Sequence, residues 1–370
     1  MRALLVWVLM LSSCSFPRPE ASTDGPPGDG SSSNCTPGFV NLCSIAAGTL
    51  PLIIIVPTKL NTDTDPRCRV VTQTGGPDIC VLAFSRLEIT SGATLTFFGS
   101  RAVAVMATTE IVVAGTLDVA SHRLTQQAEP GAGSLASCAF DRAVEDDNGG
   151  GSGGAGGTCA AQGGAGGDGD TDHSLPDDGI ALGGMPGMVA ALSVLRGGCS
   201  GQSGGYNSPA RGRGGHGGGA VYLAAPFIQI AGAVLAGGAA GGGGSADSHG
   251  GGGGGGGSGG TIILQGDKIT IDTDGLLLAT GGGGGQGGTN TSVGEDGANA
   301  IAITAAPGGD SMPNGGVGGA GSTSGVGTAG FGDNAGGGGG GGGTGYIRIL
   351  SPMAITTDAS IMPAAVISAR

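Results

Sequence analysis

Three aspartates at alternate positions form the group of residues in this sequence that comes closest to a metal site. Asp168, Asp170 and Asp172 have the D-x-D-x-D spacing with which carboxylate oxygens bind Ca²⁺ in EF-hand loops. An EF-hand continues with a glycine and has a glutamate at its twelfth position, whereas this chain has His173 and Gly179 there. The glycines before Asp168 also fit the start of a G-G-x-G-x-D calcium repeat, but no second copy follows. The aspartates are therefore calcium candidates, with a solvated acidic loop as the alternative, and no other cofactor or metal is predicted.

The remaining groups that could perform acid–base chemistry are scattered along the chain. The carboxylates that a sugar-cleaving enzyme would need fall mostly at expected turns: Asp118, Asp267, Asp272 and Asp274. The histidines fall in predicted loops with no paired acid and nucleophile: His122, His173, His216 and His249. A Ser-His-Asp set stays open, but no motif indicates one. Matches to G-x-G-x-x-G follow from the glycine content alone, and there is no G-x-x-x-x-G-K-[ST] motif. No catalytic residue is predicted.

The N-terminus has the pattern of an export signal. A short positive region precedes the apolar run Ala3–Leu11, which is too short to span a bilayer. The sequence Leu-Ser-Ser-Cys at residues 11–14 resembles the lipobox of bacterial lipoproteins. In that motif the signal peptide is cleaved before the cysteine, and the cysteine is lipidated. An ordinary secretory signal with a chance cysteine is the alternative. We therefore predict a lipoprotein signal peptide over residues 1–13, lipid attachment at Cys14, and a flexible tether rich in Pro, Gly and Ser over residues 14–38.

Charge and hydropathy restrict the partners and the location. The formal net charge is −13 and no basic cluster is present, which argues against nucleic acid or an anionic membrane surface as a partner. No later run reaches the ~18 apolar residues of a membrane-spanning helix, so the predicted membrane attachment is the N-terminal lipid. By the sorting rule of enterobacterial lipoproteins, an aspartate after the lipidated cysteine would favour the inner membrane. Ser15 at that position favours the outer membrane, with the body facing the periplasm or the cell surface.

The cysteines fit an oxidising compartment, where disulfides are expected. Of the 8 cysteines, Cys35 and Cys43 are close in sequence, as are Cys68 and Cys80, and each pair could close a small loop. Spacing alone does not determine how the last three cysteines pair, and they are Cys138, Cys159 and Cys199. Neither C-x-x-C nor Cys/His spacing is present, so no zinc site is predicted.

Four segments share a pattern of strand, tight corner, strand, turn and strand, and they are Ala102–Ala120, Ala220–Gly237, Thr261–Gly281 and Tyr346–Met362. Apolar residues alternate within the strands, with many β-branched residues. We take Leu223, Leu264 and Ile349 as equivalent positions. Isoleucines then lie five and seven residues further on in the second and third segments. In the fourth segment the positions five and seven residues after Ile349 are Ala354 and Thr356. In the first segment, counted from Val105, the apolar pair is Ile111 and Val113, which lie six and eight residues further on and thus one residue later than in the other segments.

Stacked units of this kind predict a mainly β fold, with coils like those of a β-solenoid or β-sandwich, because a single unit cannot bury its apolar face. Almost no helix is predicted, apart from a turn or two at Met188–Leu195. We expect an N-terminal β-strand region over residues 39–130 and a glycine-rich region over residues 131–370. The two would form one continuous body.

Glycine accounts for 87 of the 370 residues and falls between the strand units. Parts of these tracts repeat as Gly-Gly-x, which matches the three residues per turn of a polyproline-II helix and leaves two of its faces without side chains. Neighbouring backbones could then approach closely and form hydrogen bonds. Floppy linkers are the alternative, favoured by the entropy that glycine loses on ordering. The tracts return the chain to the same strand pattern and carry few charged residues, so we predict a packed polyproline-II layer beside the β-coils.

The strand-rich run Leu60–Arg123, the sequence LRGGCSG at Leu195–Gly201 and GGHGGGAVYLAA at Gly214–Ala225 resemble a group of glycine-rich lipoproteins common in myxobacteria. The resemblance covers about residues 40–350. It implies a secreted, anchored, β-rich fold and no particular activity. Similar chains place one cysteine before the first glycine tract and another at the LRGGC-like stretch. The resemblance therefore implies a Cys138–Cys199 disulfide, with Cys159 unpaired.

Together these features predict a structural or surface-interaction role without catalysis, as an adhesin or a component of the envelope matrix. Large flat faces with small residues suit an extended partner better than a small-molecule pocket does. The expected partners are the membrane, through the lipid, and polysaccharide or other cell-surface components, with no small-molecule cofactor. The alternative is a carbohydrate-active β-helix enzyme, either a polysaccharide lyase or a hydrolase, which would need convergent carboxylates on one coil face.

Overall fold

The computed structural model describes residues 39–42, 45–124, 128–135, 138–147, 150–171, 180–189, 191–205, 211–246, 249–311, 313–333, 335–353, 356–357 and 359–368. The described residues contain β-strands and no helix, and hence no helix that could cross a membrane. The strands, in chain order, are β1 (Leu52–Ile54), β2 (Thr58–Asn61), β3 (Arg69–Val71), β4 (Ile79–Ile89), β5 (Thr94–Phe98), β6 (Ala102–Val113), β7 (Thr116–Asp118), β8 (His122–Arg123), β9 (Ala128–Glu129), β10 (Asp146–Asp147), β11 (Gly150–Gly151), β12 (Ala220–Ala224), β13 (Phe227–Ile230), β14 (Ala233–Leu235), β15 (Thr261–Gln265), β16 (Lys268–Ile271), β17 (Leu276–Leu278), β18 (Tyr346–Leu350), β19 (Thr356–Thr357), β20 (Ser360–Met362) and β21 (Val366–Ser368).

Parallel pairing organises the strands into three ladders. The first ladder contains the N-terminal halves of β4 and β6, followed by β12, β15, β18 and β21. The second contains β1, the C-terminal halves of β4 and β6, and then β13, β16 and β19. These two share β4 and β6 and, with β3 paired antiparallel to β4, form one 11-stranded sheet, while the third ladder is a 6-stranded sheet of β2, β5, β7, β14, β17 and β20. From β4 to β20, each pass of the chain adds one strand, or one half of a long strand, to each ladder, so strands far apart in sequence become neighbours.

The predicted equivalences are confirmed in the strand register. Leu223 lies opposite both Leu264 and Val105, and Leu264 lies opposite Ile349. In the second ladder, Ile228 and Ile230 pair with Ile269 and Ile271 on one side and with Ile111 and Val113 on the other. The extra residue inferred for the β6 unit is therefore real, and it is accommodated where the pairing of β4 with β6 shifts register.

The alignment proposed for the fourth unit is wrong by one residue. Thr356 lies opposite Thr270, and Thr357 lies opposite Ile271, so Thr356 is not the equivalent of Ile271, while Ala354 lies outside the described residues. The reason is a longer corner, because the step from Leu350 to Thr356 is one residue longer than the step from Gln265 to Thr270. The apolar spacing of the other units does not apply to a unit with an additional corner residue.

Apolar side chains on the inner faces of the ladders form the main core. Leu87, Ile111, Ile228 and Ile269 are stacked in one column, and each is buried. The third ladder contributes a similar column of Leu95, Leu117, Val234 and Leu277. Complete burial of such a side chain stabilises the fold by about 1.5–3 kcal/mol. The repeated units are therefore held together by columns that no single unit could form.

A second cluster covers the outer face of the first ladder. Val40 and Leu42 pack there with Leu195 and with the outward side chains of the ladder, such as Tyr222. The Gln265 side chain joins these parts, since its Oε1 accepts hydrogen bonds from the Tyr222 hydroxyl (2.7 Å) and the Phe39 amide (3.3 Å). The N-terminal segment is thus part of the folded body from residue 39.

The helical turn predicted at Met188–Leu195 is wrong, since the described residues of this segment are not helical. The Gln73 side chain accepts a hydrogen bond from the Leu195 amide and donates one to the Leu195 carbonyl, both at 2.8 Å. The Leu195 side chain is buried beneath this contact. Tertiary contacts therefore hold Leu195 at the end of this segment without helix formation.

Two of the predicted disulfides are present. Cys68 is bonded to Cys80 and Cys138 to Cys199, with Cα–Cα separations of 5.1 and 5.8 Å. Among the cysteines that the structure describes, Cys159 is the free one, and it is buried. The predicted pair of Cys35 and Cys43, and the predicted lipid attachment at Cys14, lie outside the described residues.

Candidate functional site

Residues 250–260, here called the central glycine segment, are surrounded by six other chain segments. Its backbone amides donate in a three-residue repeat. Starting at Gly253, every third amide donates to the backbone carbonyls of residues 337, 340 and 343 in turn. The series that starts at Gly254 donates to the carbonyls of residues 242, 239 and 236, and the series that starts at Gly252 to those of residues 205, 202 and 199. The donor–acceptor distances are between 2.7 and 3.2 Å. A given neighbour is thus reached once every three residues.

The carbonyl groups of the central glycine segment follow the same repeat towards the other three neighbours. They accept hydrogen bonds from the backbone amides of three segments, which are residues 151, 154 and 157, residues 288, 285 and 282, and residues 212, 215 and 218. Every amide from Gly252 to Gly260 and every carbonyl from Gly250 to Ser258 is therefore hydrogen-bonded. Buried backbone groups are satisfied in this way without a β-ladder.

Glycine is needed in the central glycine segment because the backbones lie so close together. A Cβ added at Gly255 would overlap the carbonyl of Ala155, and one at Gly257 would overlap the carbonyl of His216. Within the segment, a φ in the left-handed region occurs only at Gly250. The tract therefore uses glycine for its missing side chain more than for its conformational freedom.

A cleft lies beside the third ladder, at the end of the body where the first coils are found. Its volume is about 270 Å³. The third ladder contributes Lys59 from β2 and Thr96 and Phe98 from β5, while the β8–β9 hairpin contributes His122 and Glu129. Register explains part of this arrangement, because Lys59 lies opposite Thr96 and Thr96 lies opposite Asp118.

His122 and Asp118 form a hydrogen-bonded pair at this cleft. The distance from His122 Nε2 to Asp118 Oδ2 is 3.0 Å, and Asp118 Oδ1 accepts a bond from the Ala120 amide at 2.8 Å. The hydrogen bond that Asp118 accepts from the His122 ring raises the pKa of His122, although burial acts in the opposite direction. The sequence predicted His122 in a loop with no paired acid and nucleophile, whereas the structure places it in β8 with Asp118 as its paired acid. Its partner lies only four residues away, where the chain leaves β7 for the hairpin.

An ion pair closes the other side of the cleft. Lys59 Nζ lies 3.0 Å from Glu129 Oε2, and these side chains remain 59% and 41% exposed. The neighbouring Ser121 is not aligned with His122 as a nucleophile, because its hydroxyl donates to the Gly217 carbonyl and accepts from the Gly131 amide. The cleft therefore combines a histidine–carboxylate pair, a lysine and an aromatic ring.

The calcium candidates are not assembled into a site in the part of the chain that is described. Asp168 Oδ1 accepts a hydrogen bond from the Gly183 amide at 2.8 Å. Asp170 is buried and has a φ of 45°, while Asp172 lies outside the described residues. No group of three His, Cys, Asp or Glu side chains that could hold a metal ion occurs among the residues described.

The other acid–base candidates are found away from the cleft. Asp272 Oδ2 accepts a hydrogen bond from Gln229 Nε2 at 3.0 Å, across the second ladder, and neither Asp267 nor Asp274 lines the cleft. His216 belongs to a glycine segment, where burial lowers its pKa. His173 is outside the described residues. Among the acid–base candidates that lie within the described residues, the structure thus brings Asp118 and His122 into contact.

Comparisons with protein-family models, with curated proteins and with solved structures found no match to this chain.

Proposed function

We propose that the protein is a bacterial lipoprotein anchored in the outer membrane through Cys14, and that its body has a structural or surface-interaction role in the periplasm or at the cell surface. The observation that carries the role is the complete three-residue hydrogen-bond repeat of the central glycine segment. A flexible linker would not bury and pair all of these groups. The central glycine segment is thus packed within the folded body.

We further propose that the three ladders form a β-solenoid and that the glycine segments are polyproline-II helices packed beside it. A polyproline-II helix has three residues per turn and no internal hydrogen bonds, so its amides and carbonyls point outwards to neighbours at every third residue. The repeat of the central glycine segment has this periodicity. Successive strands of each ladder come from successive passes of the chain, as in a solenoid.

The outer face of the second ladder supports a role in surface contact. Its side chains are mainly polar or charged and stand in columns. Arg86 forms ion pairs with Glu88 and Glu110, and the Lys268 ammonium lies 5.6 Å from the centre of the Phe227 ring. Such a regular, open face suits an extended partner such as a polysaccharide or another envelope component.

The lipid tether allows such contacts at some distance from the membrane. The predicted tether of residues 14–38 would have a root-mean-square length of roughly 25–30 Å as a flexible chain. Lipid anchoring without a membrane-spanning segment agrees with the export signal, since several acyl chains together give stable attachment.

A carbohydrate-active enzyme is the second candidate, and the Asp118–His122 pair favours it. A glycosidase would need two carboxyl groups that flank the bond to be cleaved. Release of reducing sugars from a polysaccharide by the purified chain, lost on replacement of Asp118 by Asn, would support this function. Binding without turnover would support the surface role.

The anchoring proposal is tested by Cys14→Ala, with Cys159→Ala as the matched cysteine control. Wild type and Cys159→Ala should incorporate labelled palmitate and fractionate with the outer membrane, whereas Cys14→Ala should lose the label and the membrane association. A Cys14→Ala chain that stays in the membrane with unchanged gel mobility would contradict lipidation. Protease treatment of intact cells then decides between a periplasmic and a surface location.

A further inference from the structure

We propose that the cleft between the third ladder and the β8–β9 hairpin binds one ring of a neutral saccharide, with Phe98 against the ring and Lys59, His122 and Glu129 bonded to its hydroxyl groups. This inference rests on the surface-interaction role and names the ligand class. It adds a defined site to a body whose other faces are regular and open.

The first argument is the size of the cleft. Its volume of about 270 Å³ is slightly below that of sites for drug-sized ligands, which have volumes of roughly 300–1,000 Å³. The cleft therefore accommodates a single ring better than a larger cofactor. Because β2 is the last strand at this end of the third ladder, the cleft lies at the margin of the sheet, where a longer saccharide chain can continue past it.

The second argument is the combination of groups. Phe98 is 36% exposed although it is a large apolar side chain, and it forms part of the cleft wall. An aromatic wall with a few placed polar groups is the usual composition of a small-ligand site. Lys59 supplies donors, Glu129 supplies acceptors, and the Thr96 hydroxyl can serve as either.

The third argument is the balance of charge. Lys59 is paired with Glu129, and His122 with Asp118, so each pair joins a potential cation to an anion. The cleft therefore presents no strong excess of either sign when His122 is protonated. A ligand with many hydroxyl groups can use both donors and acceptors, whereas a phosphate or a uronic acid would have to compete with the carboxylates for Lys59.

The exposed Lys59–Glu129 pair is also suited to testing. Exposed ion pairs contribute little to stability, so replacing Lys59 should leave the fold intact. Suppose instead that the Lys59–Glu129 and His122–Asp118 pairs served only to hold the β8–β9 hairpin against the third ladder. Replacing their side chains would then change the free energy of unfolding, and no saccharide would bind.

The test is titration calorimetry of the full chain in detergent with four neutral tetrasaccharides: cellotetraose, maltotetraose, mannotetraose and chitotetraose. Tetragalacturonate and inorganic phosphate serve as anionic probes. We expect millimolar or tighter binding of at least one neutral probe. Phe98→Ala should weaken it by about tenfold or more, and Lys59→Ala by a smaller factor. Phe98→Leu, which keeps an apolar side chain but no ring, should also weaken it.

Matched controls are found outside both the cleft and the outer face of the second ladder. Phe331→Ala removes an exposed aromatic ring and Arg69→Ala an exposed cation, neither residue lines the cleft, and both variants should bind as wild type. Absence of binding by every neutral probe, binding of the anionic probes alone, or equal weakening by the cleft and control variants would overturn the proposal. Binding in detergent does not depend on where the protein is anchored, so this outcome and failure of the lipid-labelling test are separate results.

Discussion

Replacement of Gly255 by alanine distinguishes a packed glycine layer from a linker by the sign of its effect. The added methyl group would overlap the Ala155 carbonyl and lie 2.8 Å from the Gly156 amide nitrogen. Both are backbone atoms, so the two segments must move apart. Overpacking of this kind costs about 1–3 kcal/mol.

Movement of the segments also lengthens hydrogen bonds. Those from the Gly154 amide to the Gly253 carbonyl (2.9 Å) and from the Gly157 amide to the Gly256 carbonyl (2.8 Å) join the same two segments. Each hydrogen bond contributes about 0.5–1.5 kcal/mol to the free energy of unfolding. The lower entropy of alanine in the unfolded chain offsets about 0.4–1 kcal/mol of the loss. The net loss in unfolding free energy should be about 3 kcal/mol, within a range of about 1–6 kcal/mol.

Equilibrium unfolding in urea, followed by far-ultraviolet circular dichroism, measures this loss. The control is Gly325→Ala, since a Cβ at Gly325 meets no atom within 4 Å and its φ is not in the left-handed region. The control should be neutral or more stable by a few tenths of a kcal/mol. If Gly255→Ala behaves like Gly325→Ala, the close packing argument is refuted.

Three further predictions concern titratable groups and disulfides. Because the pKa of His122 is raised in the folded state, its contribution to stability is fully present below the unfolded value near 6.5 and is lost as pH rises through the folded value. The difference in unfolding free energy between wild type and His122→Gln, measured by urea titration, should therefore decrease from about pH 5 to about pH 8. The charged groups that face His122 are Asp118, Glu129 and Lys59. An increase of this difference over the same pH range would contradict the pairing. Burial raises the pKa of Cys159 to about 11, so iodoacetamide at about pH 8 should label this thiol only after unfolding, as peptide mass mapping would show. The loops closed by the two disulfides span 61 and 12 residues, so loss of Cys138–Cys199 should cost about 4 kcal/mol and loss of Cys68–Cys80 about 3 kcal/mol. The reverse order in urea unfolding of the paired alanine variants would count against loop closure as the cause.

The strand stacking could be predicted from sequence because the same apolar spacing recurs in each unit. Leu223, Leu264 and Ile349 occupy neighbouring strands at the same height, as their equivalence required. The spacing failed in the fourth unit, where Thr357 lies opposite Ile271 and the corner is one residue longer. The spacing of apolar residues does not reveal the length of a corner when the strand that follows it lacks the repeated apolar residues.

The glycine layer was only partly predictable. Gly-Gly-x tracts indicate a period of three, but the run Gly251–Gly257 contains glycine alone and carries no register of its own. Its register follows from the six surrounding segments, each fixed by strands or by side chains elsewhere. This information is distributed over the whole chain.

The cleft was missed because its walls come from separate passes of the chain. Lys59 and Glu129 are 70 residues apart and meet only when β2 and the hairpin lie against the third ladder. Asp118 and His122 are four residues apart at the end of a strand, a local signal that could have been recognised. Phe98 gave no signal, since an aromatic residue that ends a strand is ordinarily part of a core.

Amide hydrogen exchange of the central glycine segment tests the ordered glycine layer most directly. Every amide from Gly252 to Gly260 is bonded and buried, so exchange should be slowed by about a thousandfold or more relative to an unstructured peptide, and it should be slower than in the tract around Gly325. Exchange over residues 252–260 at the rate of an unstructured peptide would contradict the account, because the segment would then be a linker between strands.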